Sequence, residues 1–132
     1  MLNFRLISKK NPRDPNASAK YYALGTTSGE VGVRELADRI TESSTVTSID
    51  TLAVLEALLK VISRKLANGR IVRLGDLGTF RLTLKSEGSD QPENFNNTMI
   101  KGTKLHFRPG KLFKNVLKNI VFAKVKVNPS LS

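Results

Sequence analysis

Few residues of this chain could carry out covalent or metal chemistry. It has no cysteine and a single histidine, His106, so thiol catalysis is excluded and a zinc site built by the protein is not expected. His106 lies between Lys104 and Arg108 in an alternating segment, a position typical of an exposed polar residue on a strand. Asp76 belongs to a Gly-Asp-Leu-Gly sequence that is typical of a turn and lacks the Gly-Lys-Ser/Thr ending of a phosphate loop. We therefore expect no enzymatic activity, no cofactor and no small-molecule substrate.

Positive charge is the feature that points to a function. The 132 residues include 22 Lys or Arg and 11 Asp or Glu, a net charge of +11. From Lys101 to the last residue there are eight basic residues and no acidic one. Such a surface could serve solubility alone, but a domain this basic is more typical of proteins that bind a polyanion: DNA, RNA or an anionic lipid surface.

The first residues, MLNFRLISKKNPRD, contain neither the apolar stretch nor the cleavage site of a signal peptide. No segment approaches the roughly 20 consecutive apolar residues of a membrane-spanning helix. We therefore expect a cytoplasmic protein with no membrane partner.

Alternation at the start of the chain predicts a small β unit. Residues 2–9 alternate apolar Leu2, Phe4 and Leu6 with polar neighbours, as a strand does. The sequence NPRDPNAS at 11–18 is rich in turn-forming residues. A second short strand is predicted at about 20–24.

Helical periodicity follows. Apolar residues recur at helical spacing from Val33 to about Ser43, which predicts a short helix. Thr47 and Asp50 match a capping box, in which each side chain bonds the other residue's backbone amide. They open a longer predicted helix at about 49–67, which Asn68-Gly69 ends.

The second predicted helix is apolar over more of its circumference than one packing partner can cover. Because a small domain cannot bury such a helix on so many sides, we interpret it as one wall of a homodimer. An ordinary central helix beneath the N-terminal β unit is the alternative. The residues predicted to form this core and dimer contact are Leu52, Leu55, Leu59 and Ile62.

Two further strands carry basic residues on one side. The turn at 75–78 joins two alternating runs, which predicts a β-hairpin. In its second run Arg81 and Lys85 alternate with apolar residues, and Lys104 and Arg108 do so in a third strand predicted at 100–108. Period-two alternation then places each pair on a single face of the sheet. The connection at 86–99 is polar, acidic and without periodicity.

A helix is predicted after Pro109, which suits a first helical turn. Lys111, Lys114 and Lys118 lie within about 60° of one another on its polar side, at 100° per residue. RNA-binding sheets usually expose aromatic residues for base stacking, whereas Phe80 and Phe107 are predicted to face inward, so duplex DNA is favoured. A helix-turn-helix at 33–67 is disfavoured because its second helix is too apolar to read DNA.

The order of these elements resembles the HU and integration host factor family of bacterial nucleoid proteins. The hairpin GRIVRLGDLGTFRL resembles the family's glycine-turn-GTF element, and FRPGK at 107–111 resembles its junction into the last helix. The resemblance covers about residues 33–120. The N-terminal extension is similar to the HU-like branch common in Bacteroidetes.

The resemblance implies an intertwined homodimer that binds duplex DNA with two β-arms in the minor groove, with little sequence preference, and bends and compacts it. Phe80, Phe107 and Leu77 are then implied to be core and dimer residues. The DNA contacts implied by position are Arg73, Arg81, Lys85, Lys101, Lys104, Arg108 and Lys111, with Lys114 and Lys118 flanking.

The connection at 86–99 departs from the family pattern of a long basic arm tipped by an intercalating proline. It contains Glu87, Asp90 and Glu93 and no basic residue, and phosphates would repel the acids that flank Pro92. Pro92 is therefore not assigned a wedge role, and Phe95 fits core packing of a short arm better than insertion between bases. We expect weaker bending than in typical family members.

The sequence thus predicts an α+β fold: two helices, an antiparallel sheet with a shortened β-arm, a basic C-terminal helix and a small N-terminal β extension. The predicted division is an extension at 1–32, a DNA-binding domain at 33–122 and a tail at 123–132. The predicted function is non-sequence-specific architectural DNA binding in the nucleoid. A protein-interaction scaffold with a vestigial DNA surface and an RNA-binding factor remain alternatives.

Overall fold

A computed structural model of the chain describes residues 1–125. Within them lie three α-helices, six strands and two short 3-10 turns, so the fold is of the mixed α+β type. The elements are β1 (Leu2–Lys9), β2 (Lys20–Thr26), α1 (Val33–Glu42), α2 (Ser48–Ala67), β3 (Val72–Arg73), β4 (Gly78–Ser86), 3-10 turns at Pro92–Asn94 and Asn97–Met99, β5 (Ile100–Pro109), α3 (Lys111–Lys118) and β6 (Phe122–Lys124).

The chain divides into two compact units. The larger, Gly32–Leu117, contains α1, α2, the antiparallel sheet β3-β4-β5 and most of α3. The smaller contains Met1–Val31 and the described residues from Lys118 onward, and its sheet has the order β2-β1-β6. β6 pairs in parallel with β1, Leu2 opposite Phe122. The segment predicted as a C-terminal tail, 123–132, therefore begins within a strand of the N-terminal sheet, and its residues from 126 lie outside the described part.

Local signals fix the ends of α2. The Thr47 hydroxyl accepts a hydrogen bond from the backbone amide of Asp50 at 3.1 Å, which satisfies one of the free amides of the first turn. Gly69, with φ +78°, follows the last turn, a conformation that glycine adopts without steric cost. α1 packs against α2, and Ala37 of α1 is 1% exposed.

Two glycines allow close packing at the hairpin turn: Gly110, just before α3, lies against the turn, and Gly78 lies against β5. A Cβ on Gly110 would overlap the carbonyl group of Asp76, and a Cβ on Gly78 would lie 2.6 Å from the Arg108 carbonyl oxygen. The close approach allows the Gly110 amide to donate to the Leu77 carbonyl and the Leu112 amide to donate to the Asp76 carbonyl, each at 3.0 Å.

The expectation that Pro109 lies in the first turn of the last helix is wrong. Pro109 is the final residue of β5, opposite Gly78, and α3 begins at Lys111. Proline has no backbone N–H to donate to a neighbouring strand, but at the end of a strand that hydrogen bond is not required. The first bond of the helix runs from the Lys114 amide to the Gly110 carbonyl, at 3.0 Å.

We predict that Gly110→Ala lowers the free energy of unfolding by about 1–3 kcal/mol, because the added methyl group must displace backbone. Gly102→Ala is the matched control, since a Cβ there meets nothing within 4 Å and should change stability by less than about 1 kcal/mol. Urea unfolding followed by circular dichroism measures both. Equal effects of the two substitutions would contradict the close approach of α3 to the turn.

Candidate nucleic-acid interface

The register of the larger sheet brings basic residues from three strands to one face. Arg73 of β3 lies opposite Thr79 of β4, and Thr79 lies opposite Arg108 of β5. Side chains at directly opposed positions share a face, and so do residues two apart along a strand. We define the basic face as Arg73, Arg81, Lys85, Lys104 and Arg108.

An open depression of about 500 Å³ lies on the basic face. Three arginines from three different strands line it, with one threonine and the histidine among their neighbours. Guanidinium groups offer several N–H donors in a fixed plane, an arrangement suited to the oxygens of a phosphate group. The polar lining residues are Arg73, Thr79, Arg81, His106 and Arg108.

His106 is held in place within this depression. Its Nε2 atom lies 2.7 Å from the Thr83 hydroxyl oxygen, and the pair is partly buried. The hydrogen bond fixes the orientation of the imidazole ring, which lines the depression. Thr79, Thr83 and His106 were not among the predicted contact residues, although the alternation of β4 and β5 predicts that Thr83 and His106 share the side of the cations. Thr79 and Thr83 lie two residues before and two residues after Arg81 along β4, and this spacing was the signal that places them on its face.

The charges of the basic face are not offset by nearby acids. Among the ion pairs formed within residues 1–125, none involves these five side chains. Lys101, a predicted contact, differs: its Nζ atom lies 3.3 Å from a Glu87 carboxylate oxygen. Unopposed like charges repel one another, so a polyanion laid on this face would relieve repulsion as well as form contacts.

α3 carries the other predicted cations. Lys111, Lys114 and Lys118 are exposed, and their spacing places them within about 60° of one another around the helix. On the apolar side Phe113 meets the Phe107 ring edge to face, with ring centres 5.9 Å apart. This contact holds α3 against β5, and the two backbone bonds at the helix start hold it against the hairpin turn.

The opposite face of the sheet is apolar and largely uncovered. Phe80 and Phe107 stack there with ring centres 4.7 Å apart, while Leu84 is 67% and Leu105 55% exposed. We define the apolar face as Phe80, Leu82, Leu84, Leu105 and Phe107. Of the residues predicted for the core and dimer contact, Leu52, Leu55, Ile62, Leu77 and Phe80 are half-buried, and Leu59 and Phe107 are exposed.

The connection between β4 and β5 is short and folded. The Glu87 amide donates to the Met99 carbonyl at 2.8 Å, which closes the loop at its base. Pro92 opens the first 3-10 turn and Phe95 follows it. Glu87, Asp90 and Glu93 are all exposed, so the loop carries negative charge rather than a basic arm.

Comparison with known proteins agrees with this arrangement of elements. The profile of HU-HIG, a family described as an HU domain fused to wHTH, Ig, or Glycine-rich motif, matches residues 1–124. The chain belongs to this HU-HIG family. A search of curated proteins gave no match.

A solved structure from Bacteroides vulgatus has the same fold as this HU-HIG chain. That protein is provisionally described as a bacterial DNA-binding protein, and the two structures superpose with a TM-score of 0.67 at 15% sequence identity. The match covers 97% of this chain and 49% of the other, so the HU-HIG chain spans about half the length of that protein. At this identity the likeness concerns the fold. Within residues 1–125, none of the helices is long and apolar enough to cross a lipid bilayer.

Proposed function

We propose that this HU-HIG chain is an architectural protein that binds duplex DNA as a homodimer with little sequence preference and contributes to compaction of the nucleoid in the cytoplasm. The observation that carries the proposal is the basic face, where arginines from three strands surround one depression and form no ion pair within residues 1–125. Membership of a family built on an HU domain and the DNA-binding description of the Bacteroides neighbour support it.

Phosphate contact is the chemistry that this face favours. Its side chains are lysines and arginines, which bind backbone oxygens regardless of base sequence. The sheet's aromatic pair, Phe80 and Phe107, lies on the opposite side, so the basic face offers no platform for stacking unpaired bases. These two features together favour duplex DNA over single-stranded RNA.

The proposed contacts extend from the sheet to the last helix and lie within the proposed DNA-binding domain, 33–122. Lys101 contributes less than the others, because Glu87 offsets its charge. The proposed contact residues are Arg73, Arg81, Lys85, Lys101, Lys104, Arg108, Lys111, Lys114 and Lys118.

Homodimer formation accounts for the apolar face. Its leucines stay exposed in the single chain, as do Leu58 and Leu59 of α2. Fully burying one leucine contributes about 1.5–3 kcal/mol. A second copy that covers these residues would leave the basic face in solvent, since the two faces point in opposite directions. DNA binding and dimer formation then use opposite sides of one sheet.

Charge reversal tests the proposal. We predict that the triple variant Lys104→Glu, Arg108→Glu, Lys111→Glu binds duplex DNA far more weakly than the wild type, at every salt concentration where binding is measurable, while keeping the wild-type circular dichroism spectrum. Each lost phosphate contact removes about 0.9 from the slope of log affinity against log salt, so the slope should flatten by at least about 2.7. Fluorescence polarisation with a labelled duplex across a sodium chloride series gives both quantities.

The matched control for charge reversal is Lys60→Glu, Arg64→Glu, Lys65→Glu on α2. These residues are exposed and the change in net charge is the same, so binding should fall much less. If the Lys104, Arg108, Lys111 variant kept the wild-type affinity, the proposed contact residues would not be the DNA-binding surface. A preference for RNA would indicate an RNA-binding factor, and weak, salt-independent binding to both nucleic acids would indicate a protein-interaction module.

The acidic loop predicts weak bending. Because Glu87, Asp90 and Glu93 would be repelled by phosphates, we expect no insertion of this loop into the minor groove. Energy transfer between dyes at the two ends of a duplex should show a small bend that Pro92→Ala and Phe95→Ala leave unchanged. A sharp kink that either substitution removes would contradict this expectation.

A further inference from the structure

The smaller unit has a basic face of its own. In its antiparallel pair Arg5 lies opposite Leu24, Ile7 opposite Tyr22 and Lys9 opposite Lys20. Directly opposed residues point to the same side of a sheet, so three cations and one tyrosine share a face. The other side pairs Leu6 with Ala23 and Leu2 with Phe122, and its polar members are Ser8, Tyr21 and Lys124.

The lysine pair is unfavourable in the free protein. Like charges directly opposite one another destabilise a pair of strands, and neither Lys9 nor Lys20 makes an ion pair within the described part of the chain. Residues 1–28 contain five basic residues and one acidic residue, Asp14. Asp14 acts in the turn, where its carboxylate accepts a hydrogen bond from the Asn16 amide at 3.2 Å.

The loop between β1 and β2 turns this face into a concavity. An open space of about 660 Å³ is bounded by both strands and by residues of the loop. The loop is ordered by its own bonds, since the Asn11 side-chain oxygen accepts from the Arg13 amide at 3.0 Å. The polar residues that line the concavity are three lysines, an asparagine, a serine and a tyrosine: Lys9, Lys10, Lys20, Asn11, Ser18 and Tyr22.

We propose that this concavity binds the phosphodiester backbone of duplex DNA and is a second DNA-contact surface. The inference rests on the proposed function, because it assumes the same partner, duplex DNA, that we propose for the basic face of the larger unit. Charge complementarity supports it: three lysines and no acidic residue line the concavity.

The arrangement of the tyrosines favours backbone contact over binding to unpaired bases. The Lys9 ammonium lies 6.0 Å from the centre of the Tyr22 ring, so this ring is already engaged by a cation. Tyr21, 71% exposed, lies opposite Ser8 and hence on the other side of the sheet. This face therefore lacks the series of free rings on which single strands stack.

The test is the salt dependence of duplex binding by the full chain with Lys9→Gln and Lys20→Gln. Loss of two phosphate contacts should flatten the slope of log affinity against log salt by at least about 1.8. The control, Lys60→Gln with Lys65→Gln, removes the same charge from α2 and should leave the slope nearly unchanged. Thermal melting should show no loss of stability, because the first variant removes a repulsive pair.

Three results would overturn the inference or its basis. If the Lys9/Lys20 variant keeps the wild-type slope while Lys104→Glu, Arg108→Glu, Lys111→Glu flattens it, the second surface is wrong and the proposed function stands. If neither variant changes the slope, the proposed function fails as well. If the Lys9/Lys20 variant loses binding only to single-stranded DNA or to vesicles of phosphatidylserine, the concavity serves a different partner.

Discussion

The apolar face of the β3-β4-β5 sheet is the constraint on which the rest of the account depends. The Phe80 and Phe107 rings pack against each other on it, with ring centres 4.7 Å apart. The side chains of Leu84 and Leu105 beside them are nevertheless more than half exposed. Ala37 is the only hydrophobic residue that residues 1–125 enclose fully. A domain with so little interior would gain stability if another chain covered its apolar surface.

The same alternation that creates the apolar face creates the basic one. Successive residues of β4 point to opposite sides, so Leu82 and Leu84 cannot turn inward without Arg81 and Lys85 turning outward. Under our proposal each side then has its own partner, a second copy for the leucines and duplex DNA for the cations. A one-residue slip in the register of β4 would place its leucines among the cations of β5 and its cations among the apolar residues. Neither face would then be continuous.

Electrostatics adds a reason for polyanion binding beyond simple attraction. Strand pairing brings like charges near one another: Arg73 and Arg108 lie in one row on either side of Thr79, and Lys9 lies opposite Lys20. Each costs some stability in the free protein. In a complex, phosphate groups would offset these charges, and the protein's cations would release the cations condensed on the DNA.

Local signals made much of the fold predictable from the sequence. The alternation of β4 and β5 predicted which side chains share a face, and Thr47 predicted the start of α2. The parallel pairing of β6 with β1 was not predictable, because nothing local to Phe122 specifies a partner 120 residues earlier. Pro109 was misassigned because its fixed φ suits both a helix start and a strand end; contact with Gly78 decides between them. Thr83 and His106 meet only after β4 and β5 pair, so their bond was not visible in the sequence.

The mass of the free protein in solution tests the central claim most directly. Size-exclusion chromatography with light scattering at micromolar concentration should give about 29 kDa, twice the chain mass of 14.6 kDa. The dimer should unfold at a midpoint that rises with protein concentration, because the apolar face is covered only when two chains meet. A stable monomer with a concentration-independent midpoint would contradict the account.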